Sequence, residues 1–254
     1  MSRHFATLFF ALSLLALSGC GDEVLQPARD TVLENLKGDV KVVTRKQYFA
    51  TQNKDGNSYA MGELIESKEY TYDPEGMLLR EKTFDEEGSV TEEYAYSYRT
   101  EGSLTTITSE AGTEVVSRDY KARRRTKTVK DPSGKTMVVF RSTTDKRGLP
   151  LEVTAHDPEG NPLRKSVWKR DVYGHVTGHE EYVEERLVSR ISSVLNKSGD
   201  PVTELETNDR DTIESRSYMY NYDGKGNWIR RIVRHMPKGR PPYYTLSERG
   251  IAYY

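Results

Sequence analysis

Apolar and polar residues alternate along most of the chain between residues 39 and 254. The alternation is plainest at residues 69–72, 94–98 and 218–222, where tyrosines two residues apart fall on one face of a strand. Val, Tyr and Thr are common between the polar breaks, and these residue types favour strands. The pattern predicts roughly fourteen to sixteen strands joined by tight turns.

The polar breaks share an Asp-x-x-Gly motif. Asp at the first position bonds the backbone of a type I turn, and Gly follows where a left-handed backbone is needed. Such a turn makes a bulged β-hairpin loop. The motif occurs at Asp73–Gly76, Asp85–Gly88, Asp131–Gly134, Asp145–Gly148, Asp157–Gly160, Asp171–Gly174 and Asp223–Gly226. Weaker turns are expected near residues 110–112, 184–186, 197–199 and 208–210. The predicted fold is therefore all-β, an extended curved antiparallel sheet of tandem β-hairpin repeats.

The N-terminus has a different pattern. Arg3 precedes an unbroken apolar stretch from Phe5 to Leu17, which is too short to span a bilayer but suits a secretory signal. The next residues, Leu17-Ser18-Gly19-Cys20, resemble the lipobox of bacterial lipoproteins. The resemblance implies cleavage between Gly19 and Cys20 and acylation of Cys20. The predicted product is held on a membrane by its lipid, without a transmembrane segment.

These patterns divide the chain into three parts. Residues 1–19 are the predicted signal peptide, residues 20–38 form a lipid-anchored tether with a short helix over 29–36, and residues 39–254 form the β-repeat domain. Cys20 is the only cysteine, so no disulfide can form within one molecule. An ordinary signal peptide with an incidental Cys is the alternative. We expect the anchor in the outer membrane, with the periplasmic or surface side left open.

Composition narrows the classes of function. The formal net charge of −1 argues against a general nucleic-acid binder, which would normally be strongly basic. The chain has seventeen Tyr but only six Phe, so tyrosine rings, which end in a polar hydroxyl, are expected to supply much of the buried apolar surface. This favours a thin, extended sheet over a thick globule.

Several turns resemble the YD repeats of the RHS type. The similarity rests on Tyr72-Asp-Pro-Glu-Gly76, His156-Asp-Pro-Glu-Gly-Asn161 and Tyr220-Asn-Tyr-Asp-Gly-Lys-Gly-Asn-Trp228. It implies a continuous β-sheet, but the toxin role of large RHS proteins does not carry over. The Leu36-Lys-Gly-Asp-Val-Lys opening and the closing Gly-Asn-Trp-Ile-Arg-Arg segment are also similar to uncharacterised envelope lipoproteins of this repeat type.

No catalytic motif is recognisable. Gly-x-Ser-x-Gly, Walker and dinucleotide fingerprints and His-Glu-x-x-His are missing from the sequence, so no catalytic residue and no cofactor are predicted. His175, His179 and Glu181 carry side chains that could bind zinc, but on a strand a spacing of four puts the two histidine rings about 13 Å apart. Calcium at the Asp-x-x-Gly turns is also disfavoured, because they lack the acidic EF-hand loop. No metal site is predicted.

Trp168 and Trp228 are the candidate partner-binding residues. Amphipathic rings suit contacts with sugars or with protein side chains, although packing in the core is the simpler role. The C-terminal aromatic Tyr254 suggested a membrane-spanning strand, but Glu248, Gly250 and Ala252 occupy the positions that would face lipid. That alternative was therefore rejected.

The sequence thus favours a lipid-anchored, non-enzymatic envelope module that binds a protein or a polysaccharide. Two alternatives stay open: an enzyme acting on envelope glycans, and an immunity or accessory protein for a secreted toxin.

Overall fold

The computed structural model describes residues 35–56, 58–101, 104–109, 111–119, 121–146 and 148–254. The predicted signal peptide, its cleavage site, Cys20 and nearly all of the predicted 29–36 helix lie outside the described residues. The described part contains strands and turns, and within it no helix is long and apolar enough to cross a membrane.

Within the described residues, seventeen strands form one antiparallel sheet, which confirms the all-β prediction. They are β1 (Val40–Gln52), β2 (Tyr59–Tyr72), β3 (Leu78–Phe84), β4 (Val90–Ala95), β5 (Ser97–Glu101), β6 (Leu104–Ser109), β7 (Gly112–Asp119), β8 (Arg124–Lys130), β9 (Thr136–Thr144), β10 (Pro150–His156), β11 (Pro162–Arg170), β12 (Val176–Val183), β13 (Arg186–Leu195), β14 (Pro201–Thr207), β15 (Thr212–Tyr222), β16 (Trp228–Pro237) and β17 (Tyr243–Tyr253).

The sheet closes on itself because β1 pairs with both β2 and β17. Among the described pairings, the ring is interrupted only between β4 and β5. These two strands follow each other along one path across the sheet, which is broken at Tyr96. On this path, β4 pairs with β3 and β5 pairs with β6. Counting that path once leaves an even number of strand paths, as an antiparallel ring requires. Outside this path, closure removes the free sheet edges that would otherwise invite further strand pairing.

The Asp-x-x-Gly segments make the turns. In each one the Gly amide donates to the Asp carbonyl, as Gly76 does to Asp73 at 2.9 Å, and each Gly has a positive φ. The Asp side chain often completes the turn, since Asp73 Oδ1 accepts the Met77 amide at 2.8 Å. The turn is therefore encoded locally, in the residues that form it.

Turns collect at two rims of the barrel. The proximal rim holds the start of β1, the end of β17 and the turns after β2, β9, β11, β13 and β15; the distal rim holds the turns after β1, β3, β8, β10, β12, β14 and β16. Two strands therefore lie between one turn and the next turn on the same rim. The strand order then shows which turns are neighbours along a rim.

Alternation along each strand gives the sheet an inner wall and an outer wall. Thr105 pairs with Val116, and Val233 pairs with Thr245; these four side chains are at most 4 % exposed and define the inner wall. A small apolar cluster near the proximal rim consists of Leu36, which precedes β1, with Val40, Val43 and Tyr72. The outer wall carries Glu248, Gly250 and Ala252, which follow from the register of β17 with β1.

Candidate functional site

An ionic network on the inner wall joins β14, β15 and β16. Arg216 lies at its centre, with Nη2 2.5 Å from Glu206 Oε2 and in contact with Glu214 Oε2. Its Nη1 is 3.6 Å from Glu204 Oε2. Sequence analysis did not single out this group, although Glu204 and Glu206 are two apart and so share a strand face. Three carboxylates around one guanidinium leave the network with excess negative charge.

Hydroxyl groups satisfy the remaining carboxylate oxygens. Tyr218 donates its O–H to Glu204, and Ser193 donates to the same carboxylate at 3.1 Å. Ser189 donates to Glu206 at 3.0 Å. Burial, together with the bond to Glu204, raises the pKa of Tyr218 well above its usual value. With the contacts of Arg216, these bonds give each carboxylate oxygen of Glu204 and Glu206 a partner.

His235 extends the network toward β17. Its Nδ1 lies 3.1 Å from Glu214 Oε1 and its Nε2 lies 3.0 Å from Thr245 Oγ1, while its ring stacks on Tyr243 at 4.4 Å. Burial lowers the pKa of His235, although Glu214 opposes the shift. A neutral ring then donates from Nδ1 to Glu214 and accepts from Thr245 at Nε2.

The carboxyl groups with shifted pKa values in the described residues all have lowered values. Burial favours protonation of Glu66, but Arg45 and Lys68 outweigh it and lower its pKa. On the outer wall, hydrogen bonds from Lys169 and Tyr182 lower the pKa of Glu180 to about 2. Acid catalysis of glycosidic cleavage needs a carboxyl with a raised pKa, and these groups are shifted the other way.

The outer wall over β13, β14 and β15 contains a shallow depression of about 360 Å³. Its lining also includes Ser193, Glu204 and Arg216, but the register turns these three side chains to the inner wall. The side chains that the register leaves on the outer wall are uncharged: Ser192, Val194, Thr203, Leu205, Ser215, Ser217 and Met236. Val194 is 62 % exposed and Leu205 44 %. Elsewhere this wall carries ion pairs such as Lys165–Glu152, so the depression is an uncharged surface within a charged one.

The two candidate tryptophans both point to the inner wall. Trp228 is 7 % exposed, with Arg249 lying 3.6 Å and Arg231 4.8 Å from its ring centroid. Trp168 stacks on His179 at 5.0 Å. Both rings therefore already contact side chains of this chain in the arrangement described.

Of the three zinc candidates, His179 and Glu181 lie close together, with Nε2 3.8 Å from Oε1, but His175 lies elsewhere. His175 belongs to the turn after β11 and its Nδ1 lies 3.0 Å from Asp171 Oδ2, whereas His179 faces Trp168 on the inner wall. Among the described residues, no three His, Cys, Asp or Glu side chains are grouped so as to hold a metal ion.

The segment that precedes β1 is fastened to the proximal rim. We call residues 35–39 the strap. Asn227, 2 % exposed, accepts the Lys37 amide at 2.7 Å and donates to the Lys37 carbonyl at 2.8 Å. Its Nδ2 also lies 2.8 Å from the Tyr253 hydroxyl. The contact joins the opening and closing segments that the sequence analysis had noted separately.

Comparison with known proteins defines the fold class only. No family model and no curated protein matches the chain, so membership of the RHS-type family stays a prediction. A porin-like protein from Bacteroides uniformis superimposes with a TM-score of 0.59 at 12 % identity, covering 85 % of this chain and 99 % of that one. The likeness establishes a closed antiparallel β architecture and carries no function with it.

Two further structures are more distant. A porin-like protein from Bacteroides vulgatus gives a TM-score of 0.44 at 12 % identity, over 85 % of this chain and 98 % of that one. The Tc holotoxin pore of Photorhabdus luminescens gives 0.29 at 13 % identity, over 74 % of this chain and 14 % of that one. Neither likeness is close enough to support an argument.

Proposed function

We propose that this chain is a lipid-anchored, non-enzymatic module of the bacterial cell envelope, held in the outer membrane by acylated Cys20, and that it binds a protein partner through the depression on β13–β15. The resemblance of residues 17–20 to a lipobox supports this localisation. The uncharged, partly apolar depression is the observation that carries the binding role, because exposed apolar patches ringed by polar surface are typical of protein contacts.

A protein is favoured over a polysaccharide because of what the aromatic residues do. Sugar-binding surfaces use open aromatic rings as stacking platforms, whereas Trp228 lies between guanidinium groups and Trp168 stacks on His179. The depression instead offers Leu205, Val194 and Met236 beside serine hydroxyls, which suits apolar side chains of a partner.

The non-enzymatic assignment rests on the inner-wall network. Glu204, Glu206 and Glu214 each accept hydrogen bonds or ion pairs from Arg216, Tyr218, His235 or serine hydroxyls. These contacts occupy the carboxylate oxygens with partners from this chain. The carboxyl groups with shifted pKa values, such as Glu66 and Glu180, have lowered values, opposite to what a glycan-cleaving acid would need.

Site-specific photo-cross-linking in native membranes tests the proposal. The full, acylated chain would carry p-benzoylphenylalanine at Leu205, with the same replacement at Leu104 as the matched control. Leu104 is 39 % exposed against 44 % for Leu205, and both side chains lie on the outer wall. We expect one defined protein adduct at position 205, lost with Val194→Asp and with Cys20→Ser.

Two outcomes would overturn the proposal. The same adducts at positions 205 and 104 would remove the depression as a specific site. Release of reducing ends from envelope glycans by the purified protein would replace the binding module with an enzyme.

A further inference from the structure

The turn after β11 carries an apolar tip. Val172 is 78 % exposed and Tyr173 75 %, the two highest values among the large hydrophobic residues of the described chain. The turn is well ordered by its own bonds, since Asp171 Oδ1 accepts the amides of both Tyr173 and His175 at 2.9 Å. The apolar pair is therefore held out at the rim by a rigid turn.

The other Asp-x-x-Gly turns place different residues at these two positions. Their tips are built from Pro, Glu, Ser, Lys, Arg or Gly, as in Pro158-Glu159 on the distal rim. Pro, Glu and Ser suffice to form the turn, so turn geometry does not account for Val172 and Tyr173. Exposing two large apolar groups to water needs another reason.

Basic tips flank the apolar one. Because β9 to β14 pair in order, the proximal turns after β9 and β13 are its neighbours along the rim. Lys146 and Lys197 occupy the second position of those turns, the position that Val172 occupies in its own. Aliphatic and tyrosine side chains between lysines are the composition of surfaces that contact anionic lipid.

The strap brings the lipid anchor to the same rim. Lys37 is fastened by Asn227 at the turn after β15, and Cys20 lies fifteen residues before Asn35 in the sequence. A fully extended segment of that length reaches at most about 50 Å. The proximal rim is therefore the rim through which the proposed anchor joins the barrel.

We propose that the turn Asp171–His175 enters the interfacial region of an anionic lipid membrane, with Val172 and Tyr173 among the headgroups and Lys146 and Lys197 against lipid phosphates. This rests on the proposed lipid anchoring. The contact gives the barrel a second attachment point beside the anchor, so that the proximal rim faces the membrane and the distal rim faces away.

Spin-label depth measurements test the insertion. The full acylated chain would be reconstituted in vesicles of phosphatidylethanolamine and phosphatidylglycerol. With Cys20 acylated, Tyr173→Cys supplies the single free thiol. Glu159→Cys is the matched control, because it holds the same turn position on the distal rim. We expect the label at 173 to collide more with oxygen than with a water-soluble nickel complex, and the label at 159 to do the reverse. Equal, water-like exposure at both sites would overturn the proposal.

Charge is tested by partitioning to the same vesicles in a Cys20→Ser background. Each substitution of Lys146→Gln or Lys197→Gln should weaken binding about fivefold, and V172S/Y173S should weaken it further. Lys54→Gln, at the same turn position on the distal rim, should leave binding unchanged. An equal effect of the Lys54 and Lys197 substitutions would count against the contact. In the spin-label experiment, where Cys20 is retained, failure of acylation itself would appear separately, as a second labelled thiol at Cys20.

Discussion

Replacing Asn227 should loosen the strap. The Asn227→Ala variant removes two hydrogen bonds to the backbone of Lys37 and one to the Tyr253 hydroxyl. With a net contribution of about 1 kcal/mol for each bond, unfolding should become easier by about 3 kcal/mol. For a chain of this size that corresponds to a fall in Tm of roughly 6–12 °C.

Asn161→Ala is the matched control. Asn161 follows an Asp-x-x-Gly turn as Asn227 does, but its amide reaches only Asp157 Oδ2, at 2.7 Å, on an exposed rim. This substitution should change stability by about 0.5 kcal/mol or less. Chemical denaturation followed by circular dichroism measures both variants, and hydrogen exchange at the Lys37 amide reports the local opening. Equal destabilisation by the two substitutions, or unchanged exchange at Lys37 in Asn227→Ala, would refute the role assigned to Asn227.

Three further predictions concern the barrel wall. Gly112→Ala should destabilise the fold by well over 2 kcal/mol, because the new Cβ would overlap a backbone carbonyl oxygen of the neighbouring strand. Gly88→Ala, at a positive φ but in open space, should cost only about 1–2 kcal/mol. Similar losses of Tm in the two variants would contradict this prediction. Glu114→Gln removes the carboxylate that lies 2.8 Å from the Lys127 ammonium, which is 7 % exposed, and should destabilise the fold by about 3–5 kcal/mol. In a double-mutant cycle, adding Lys127→Met should recover much of that loss. Simple additivity of the two effects would argue against a coupled pair. Because the pKa of His235 is lowered in the folded protein, the unfolded chain binds a proton at this residue more readily. Stability should therefore fall as the pH drops from about 6.5 toward the folded-state pKa. If the denaturation midpoint of His235→Gln depends on pH as strongly as that of the original protein, His235 is not the source of the pH dependence.

Local sequence determined much of the fold. An Asp-x-x-Gly turn forms from bonds within a few residues, and alternation fixes which face of a strand a tyrosine occupies, so both could be predicted from short segments. The strand number differed slightly, because Tyr96 interrupts one predicted strand and divides it into β4 and β5. A single residue that leaves the ladder has no clear signal in a period of two.

Closure of the barrel was not predictable in the same way. It depends on β1 meeting β17, as in the pairing of Val43 with Ile251, and every hairpin repeat offers similar edges. The repeat pattern therefore indicates a curved sheet without specifying where it ends. The Arg216 network could not be predicted for the same reason. Glu204 and Glu206 could be placed on one face, but their connection to His235 requires the register of two more strands, β15 and β16.

The strap links closure to orientation. Asn227 bonds both Lys37, which leads into β1, and Tyr253, at the end of β17, so one side chain holds together the two strands that close the ring. Leu36, in the same strap, packs with Val40 and Tyr72. A force applied to the chain before residue 35 would therefore act on the junction of β1 and β17, where the ring closes. Under the proposed lipid anchoring, fastening the chain at this seam would hold the proximal rim against the membrane, and weakening Asn227 should impair barrel stability and orientation together.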